Sequence, residues 1–231
     1  MKVEIWSDIM CPFCYIGKRR FENALQGFPG IKDVEVVWKS FQLDPDMKTD
    51  PGKSINEYLA DKKGWTIDYA KEMSALVTNM AKEVGLHFDF EKAVVANSFD
   101  AQRLIQLAKA NGKANEMEER LFKAYFTEGK NIADRITLIS LGTDIGLISE
   151  TIKNVLDSDE YADKVEQDIY EAQQIGVRGV PYFVFNDRYA VSGAQASETF
   201  EGALTKAYGE WEKEKPELNE ISGDESILCT P

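Results

Sequence analysis

The sequence contains one histidine, three cysteines and no uninterrupted apolar stretch long enough to span a bilayer. The last absence excludes a helical membrane protein, and so few cysteines, in odd number, exclude the dense disulfide framework of a secreted mini-protein. Basic residues are scarce as well. With 27 Lys and Arg against 40 Asp and Glu, the formal net charge is −13, and no long basic run gathers. Such a chain repels a phosphate backbone, which excludes nucleic acid as a partner. Met1 to Trp6 has no signal-peptide core and enters strand-like alternation at once, so a cytoplasmic location is expected.

What is present is a globular mixture: 231 residues, 43% hydrophobic and 29% charged, enough for one large domain or a compact domain with an insertion. Lys2 to Trp6 predicts a strand, and Pro12 sits where a helix begins, with Cys14, Gly17, Phe21, Ala24, Leu25 and Phe28 inward. Lys18, Arg19, Arg20 and Glu22 take the wet side, and Pro29-Gly30 is the expected stop. "EVVWKSF" is a second strand, and "LDPDMKTDPGKS" is turn-rich. From there to about Ser158 the pattern is helical, without strands of its own. One stripe holds Tyr69, Met73, Leu76, Val77, Met80 and Val84; others hold Ala101, Leu104, Ile105 and Ala108, then Leu121, Phe122, Tyr125 and Phe126. Asn97, Asp134 and Ser149 are the expected caps, and Gly85, Gly112, Gly129 and Gly146 the stops. A helix ending near Gly176, a hairpin "VPYFVF" to "RYAV" through Asn186-Asp187, and a helix burying Phe200, Ala203, Leu204 and Ala207 complete the order. With the helical block removed, the remainder is β-α-β plus α-β-β-α. The expected fold is therefore α/β and thioredoxin-like, with a large all-helical insertion. Residues 1–50 and 157–210 form the discontinuous thioredoxin-like domain, 51–156 the insertion, and 211–231 a polar C-terminal tail.

"SDIMCPFCYIGKRR" places Cys11 and Cys14 two residues apart at the start of the first helix. A redox cysteine attacks as thiolate, although free cysteine titrates near 8.5. With Pro12 at the first helical position, Cys11 becomes the cap. Its sulfur is expected to accept from the N–H groups of Phe13 and Cys14 at the positive end of the helix dipole. Cys14, one turn in, would be the resolving thiol. Phe13 offers the sulfur neither charge nor donor, and a potential of roughly −200 mV is expected, between reference values of about −270 and −120 mV. Asp8, if near the sulfur, would oppose ionisation. On residue type alone, Pro181 in "GVRGVPYF" can be a trans proline opening an edge strand or a cis proline that leaves the Val180 backbone to a bound peptide.

"SDIMCPFCYIGKRRFE", "FQLDP", "NSFDAQRL", "LFKAYFTEGKNI" and "GVPYFVFNDRYAVSGAQ" together resemble the DsbA-like branch of the thioredoxin superfamily, with closer likeness to the FrnE-like dithiol-disulfide isomerases, over about residues 3 to 208. The resemblance implies a thiol-disulfide oxidoreductase with Cys11 as nucleophile, Cys14 as resolving thiol and Pro181 as a cis-proline facing them. Pro12, Phe13 and Val180 are candidate substrate contacts, and Asn97 is a further candidate for which the helix-cap reading is preferred. Substrates would be thiols or disulfides, protein or small molecule. No cofactor is expected beyond the cysteine pair, with glutathione as a possible co-substrate. Where the family usually carries a histidine this chain has Gln102, which removes an acid, base or charge partner.

Other readings of the same residues remain. Cys11, Cys14, Cys229 and His87 add up to a Cys3His zinc set, although His87 lies between apolar residues and no metal is expected. Two inert core cysteines are another reading, which CxxC in a thioredoxin-like context disfavours. Kappa-class glutathione transferases and glutathione-dependent isomerases resemble the chain in outline but carry a serine where Cys11 stands. A redox-inert peptide-binding chaperone would use the same groove. Cys229, in an apolar "SILC" near the end, is a candidate regulatory thiol able to fold back on Cys11, or an idle one.

Overall fold

The computed structural model describes residues 1–214; residues 215–231 of the expected tail, Cys229 among them, lie outside the described residues. Strand β1 (Lys2–Ser7) leads into helix α1 (Pro12–Gln26), then β2 (Glu35–Ser40) after a 3-10 turn at Ile31–Asp33. Next come β3 (Asp50–Ser54), α2 (Ile55–Lys63), α3 (Ile67–Glu83), β4 (Val94–Val95), α4 (Phe99–Ala110), α5 (Ala114–Phe126), α6 (Arg135–Asp144) and α7 (Ser149–Asp157). Helix α8 (Ala162–Gln174), the hairpin β5 (Tyr182–Phe185) and β6 (Tyr189–Ser192), and α9 (Ser197–Glu214) close the fold. Among the described residues no helix is long and apolar enough to cross a membrane.

The main sheet has the order β2-β1-β5-β6, with β1 parallel to β2 and antiparallel to β5. Alternation divides its faces. Val3 opposite Phe185 and Ile5 opposite Phe183 face Phe21 of α1 and Phe200 and Leu204 of α9. Trp6 and its neighbours Tyr182 and Val184 turn the other way, toward Ala172 of α8. A buried polar hub ties that second face to the helices: Asp168 of α8 accepts from Lys39 Nζ at 2.6 Å, Gln106 Nε2 at 2.7 Å and the Ser40 N–H at 2.9 Å. The β5–β6 turn uses Asn186 and Asp187, both at positive φ, as the Asn-Asp pair predicts.

The helical block has its own core, and it begins inside α1. Tyr15 stacks on Phe122 with centroids 4.8 Å apart, and Phe88 stacks on Phe126 at 4.6 Å. Each such pair adds about 0.5–1.5 kcal/mol beyond its burial. Cys11, Cys14 and Ile9 belong to this core, whereas Phe21 and Ala24, further along α1, belong to the sheet core. Helix α1 therefore bridges the two.

Several expectations need correction. The block does contain strands: β3 and β4 pair Asp50 with Val95 and Ser54 with Val94. The Asp-Pro-Gly composition hid β3, because the pairing is supplied by a distant segment and not by local propensity. On α3 the buried face is Ala70, Ser74, Val77 and Ala81, while Tyr69 and Leu76 are exposed. Small residues let α3 approach closely; Ser74 donates to buried Asn56 of α2 at 2.7 Å. Ser149 opens α7 but Ile148 is its cap, α1 stops at Gln26 before Pro29, and α9 continues past 211 to Glu214. The 42–49 segment before β3 is held by Asn97, as described below.

Lys18 is buried, not wet, at 2% exposure, because two carboxylates reach it: Glu22 at 2.5 Å and Glu119 at 3.0 Å. Arg19 also binds Glu119, and although burial pushes that carboxyl up, the Arg19 guanidinium brings it down to about 2. Glu118 beside them is fully buried, with neither oxygen hydrogen-bonded among the described residues. Lys18 attracts it, but its ammonium is already held by the other two acids, so burial wins and raises the Glu118 carboxyl to about 8. A folded-state value raised above the unfolded one gives stability that is complete below about pH 4.5 and lost as pH rises through 8. Glu118→Gln is therefore expected to match the wild type at pH 4.5 and exceed it by about 3–5 kcal/mol at pH 9. Denaturant melts of both proteins at the two pH values check this; a constant difference would remove Glu118 as its cause.

Candidate active site

Cys11 occupies the N-cap of α1 with φ −91° and ψ 109°, and Pro12 follows at the first helical position. The cap position is as expected, but the cap hydrogen bond is not: the Cys11 side chain accepts no backbone N–H. Its thiol instead donates to the carbonyl oxygen of Val180 at 3.4 Å, and the Cys14 N–H bonds the Cys11 carbonyl at 3.0 Å. A protonated sulfur is a donor, and Val180 offers the acceptor. Both cysteines are buried free thiols. Phe13, at 38% exposure, lines the cavity beside Cys11.

The Val180–Pro181 peptide bond is cis, and the Pro181 carbonyl accepts from Gly193 N at 2.8 Å. Gly17 makes the approach of this loop possible. A Cβ there would stand 2.9 Å from Pro181 Cγ, so only glycine lets α1 lie this close.

Behind the thiols lies Asp8, buried, with its carboxylate accepting from Leu43 N at 2.8 Å and Met10 N at 3.3 Å. Burial raises the Asp8 carboxyl above the ordinary range, partly offset by these hydrogen bonds and by Ser98. Burial likewise pushes the Cys14 thiol well up, with Cys11 and the negative charge of Asp8 adding to it, while an Asp8 backbone hydrogen bond works the other way. Asp8 thus opposes ionisation as anticipated, but at the inner sulfur. Gln102 is wholly buried and donates from one amide nitrogen to the carbonyls of Ser7 at 3.0 Å and Phe41 at 3.2 Å. It ties α4 to the strand ends that carry Asp8, a positioning task a neutral amide performs.

Asn97 does not join the thiols. Its side chain donates to the carbonyls of Pro45 at 3.2 Å and Met47 at 2.9 Å, and accepts from Phe99 N at 2.9 Å and Gln42 Nε2 at 3.2 Å. It clasps the 42–49 loop and starts α4, although Ser98 is the formal cap. His87 is exposed. Among the described residues no three of His, Cys, Asp and Glu converge as metal ligands.

A cavity of about 330 Å³ opens from Cys11, Pro12 and Phe13 into the seam between α1 and the block. Its walls are apolar, and Tyr58, Tyr125, Lys62, Lys63 and Trp65 also line it. Sequence reading found none of these as site residues, because α2 and α3 reach Cys11 only through the tertiary fold.

A four-stranded sheet flanked by helices, a helical block, and two cysteines at the first turn of α1 beside the Val180 carbonyl define the class: a DsbA-like thioredoxin fold carrying a thiol pair. Residues 2–205 match the model of the DSBA-like thioredoxin domain, and the chain belongs to that family. It is similar to the uncharacterised protein YwbO of Bacillus subtilis, 31% identical over 215 residues that cover 88% of this chain and 95% of the other. Among solved structures it resembles a probable DsbA oxidoreductase, SCO1869 of Streptomyces coelicolor, at 37% identity and TM-score 0.86, covering 96% and 94% of the two chains. The cytosolic disulfide reductase DsbM of Pseudomonas aeruginosa shares the fold at 18% identity and TM-score 0.59, covering 92% and 98%.

Removing the Asp8 charge should lower the Cys14 thiol, because that charge is one of the causes holding it up. In a Cys11→Ser background, thiolate absorbance near 240 nm is expected to rise at lower pH for Asp8→Asn than for Asp8. An unchanged midpoint would show that the carboxylate does not act on Cys14.

Proposed function

We propose that the protein is a thiol-disulfide oxidoreductase and isomerase of the FrnE-like kind, acting in the cytoplasm on thiol or disulfide substrates. The observation that carries this reading is the Cys11 thiol at the N-cap of α1, 3.4 Å from the Val180 carbonyl, with Cys14 buried one turn inward. Membership of the DSBA-like family supports it.

As thiolate, Cys11 releases the Val180 carbonyl, which then faces a bound backbone as an acceptor. The N-terminal end of α1 stabilises the negative sulfur. That sulfur attacks a substrate disulfide, forms a mixed disulfide, and expels one substrate thiolate. Cys14 must then lose its proton although burial opposes this, and the Asp8 carboxylate is the nearby acceptor. Cys14 attacks Cys11, the Cys11–Cys14 disulfide forms, and the second substrate thiol departs with a proton. Two electrons have passed to the substrate. Two molecules of a thiol such as glutathione return them by exchange and leave as their disulfide, and no other cofactor is needed. If Cys14 holds back, the mixed disulfide can instead be displaced by another thiol of the same protein client, which is isomerisation.

Cys11→Ser should lower insulin-disulfide reduction and dithiol oxidation by about a thousandfold or more, whereas Cys14→Ser should accumulate a Cys11 mixed disulfide visible by mass spectrometry. Retained turnover in Cys11→Ser overturns the reading. Glutathione conjugation without a Cys11–Cys14 disulfide would point to the transferase class, and client protection with neither activity to a chaperone.

A further inference from the structure

We propose that the cavity beside Cys11 takes one limb of a small disulfide, a limb with an apolar body and a single carboxylate. The inference rests on the oxidoreductase reading and adds the substrate class. Its volume of about 330 Å³ lies at the small end of ligand sites and accommodates a compact molecule, not a folded segment of protein. Met47, Ile55, Leu59, Met73, Val77 and Phe126 give it an apolar wall. Such a wall offers nothing to the polar backbone of a peptide.

Two features select the ligand further. At the mouth, Lys62 is paired with Asp44 at 2.8 Å, while Lys63 has no hydrogen bond or ion pair among the described residues. Asp44 also accepts from Tyr58 at 2.6 Å, and Asp8 turns its carboxylate onto Leu43 and Met10. Of the two lysines and two aspartates that line the cavity, Lys62 pairs with Asp44 and Asp8 is held by backbone N–H groups, which leaves the Lys63 ammonium as the cation able to take one anionic group. Deeper, the Tyr125 hydroxyl is buried and without a hydrogen-bond partner among the described residues. A buried donor left unmade is costly, so the ligand body should bring a neutral acceptor, such as a carbonyl, to it. The charge of Asp8 near Tyr125 keeps a carboxylate out of that end.

Cys11 stands between this cavity and the Val180 loop, so a bound disulfide R–S–S–R′ lays R in the cavity and R′ along the loop. The Cys11 thiolate attacks the sulfur of R and R′ leaves as thiolate. Cys14 then attacks Cys11, and R–SH leaves with a proton. The Cys11–Cys14 pair is oxidised by two electrons and the disulfide is reduced by two.

The test uses a sulfur-free probe on the full chain in its dithiol form. By titration calorimetry, 4-oxo-4-phenylbutyrate should bind saturably, and its amide about fivefold more weakly or worse. Lys63→Glu, at an exposed site, should abolish the acid's advantage over the amide; Tyr125→Phe should bring the oxo acid down to the level of 4-phenylbutyrate. No saturable binding up to about 5 mM, or an acid-to-amide ratio unaffected by Lys63→Glu, overturns the proposal. Failure of binding with Cys11-dependent turnover intact removes the substrate class alone. Binding with turnover that survives Cys11→Ser removes the enzyme reading instead.

Discussion

The first turn of α1 packs into the helical core through Cys14 and Tyr15, while its second half packs on the sheet through Phe21 and Ala24. One rigid helix shared by two cores places its N-terminus at their seam. Cys11 therefore meets the Val180 loop on one side and the apolar cavity on the other. Gly17 lets the same helix lie against Pro181. Were α1 confined to the sheet domain, the thiols would open to solvent and no wall would face them.

Burial at this seam has an electrostatic consequence. Burial forces both Asp8 and Cys14 toward their neutral forms, and the charge of Asp8 adds to the reluctance of Cys14 to ionise. Farther along α1, Lys18 and Arg19 hold Glu22 and Glu119, and Glu118 is left as a buried acid without a partner among the described residues. The α1–α5 contact thus combines aromatic stacking through Tyr15 and Phe122 with a charged cluster at its margin.

Much of the fold was legible because it is written in local patterns. The alternation of Val3 and Ile5, the Pro12 helix start, the Asn186-Asp187 turn and the positive-φ stops at Gly85, Gly112, Gly129 and Gly146 each answer to a short-range rule, and each is found where expected. Lys18 and the α3 stripe misled for the opposite reason. A charged residue reads as exposed until Glu119, a hundred positions away, arrives to bury it. Leu76 reads as core until the small residues Ala70, Ser74 and Ala81 prove to face the neighbours. β3 was hidden because its partner, β4, lies some forty residues on.

By itself, then, the sequence determined the element order, the position of Cys11 as the cap of α1 and the spacing that puts Cys14 one turn in, since these depend on backbone dihedrals and helix periodicity alone. Tertiary structure alone decided where the Cys11 thiol donates, that Asp8 acts on the inner sulfur, that Asn97 serves a loop, and that α2 and α3 wall a cavity beside the pair. Those are contacts between residues far apart in the chain. Their energies come from burial and from charges brought together, which no local pattern encodes.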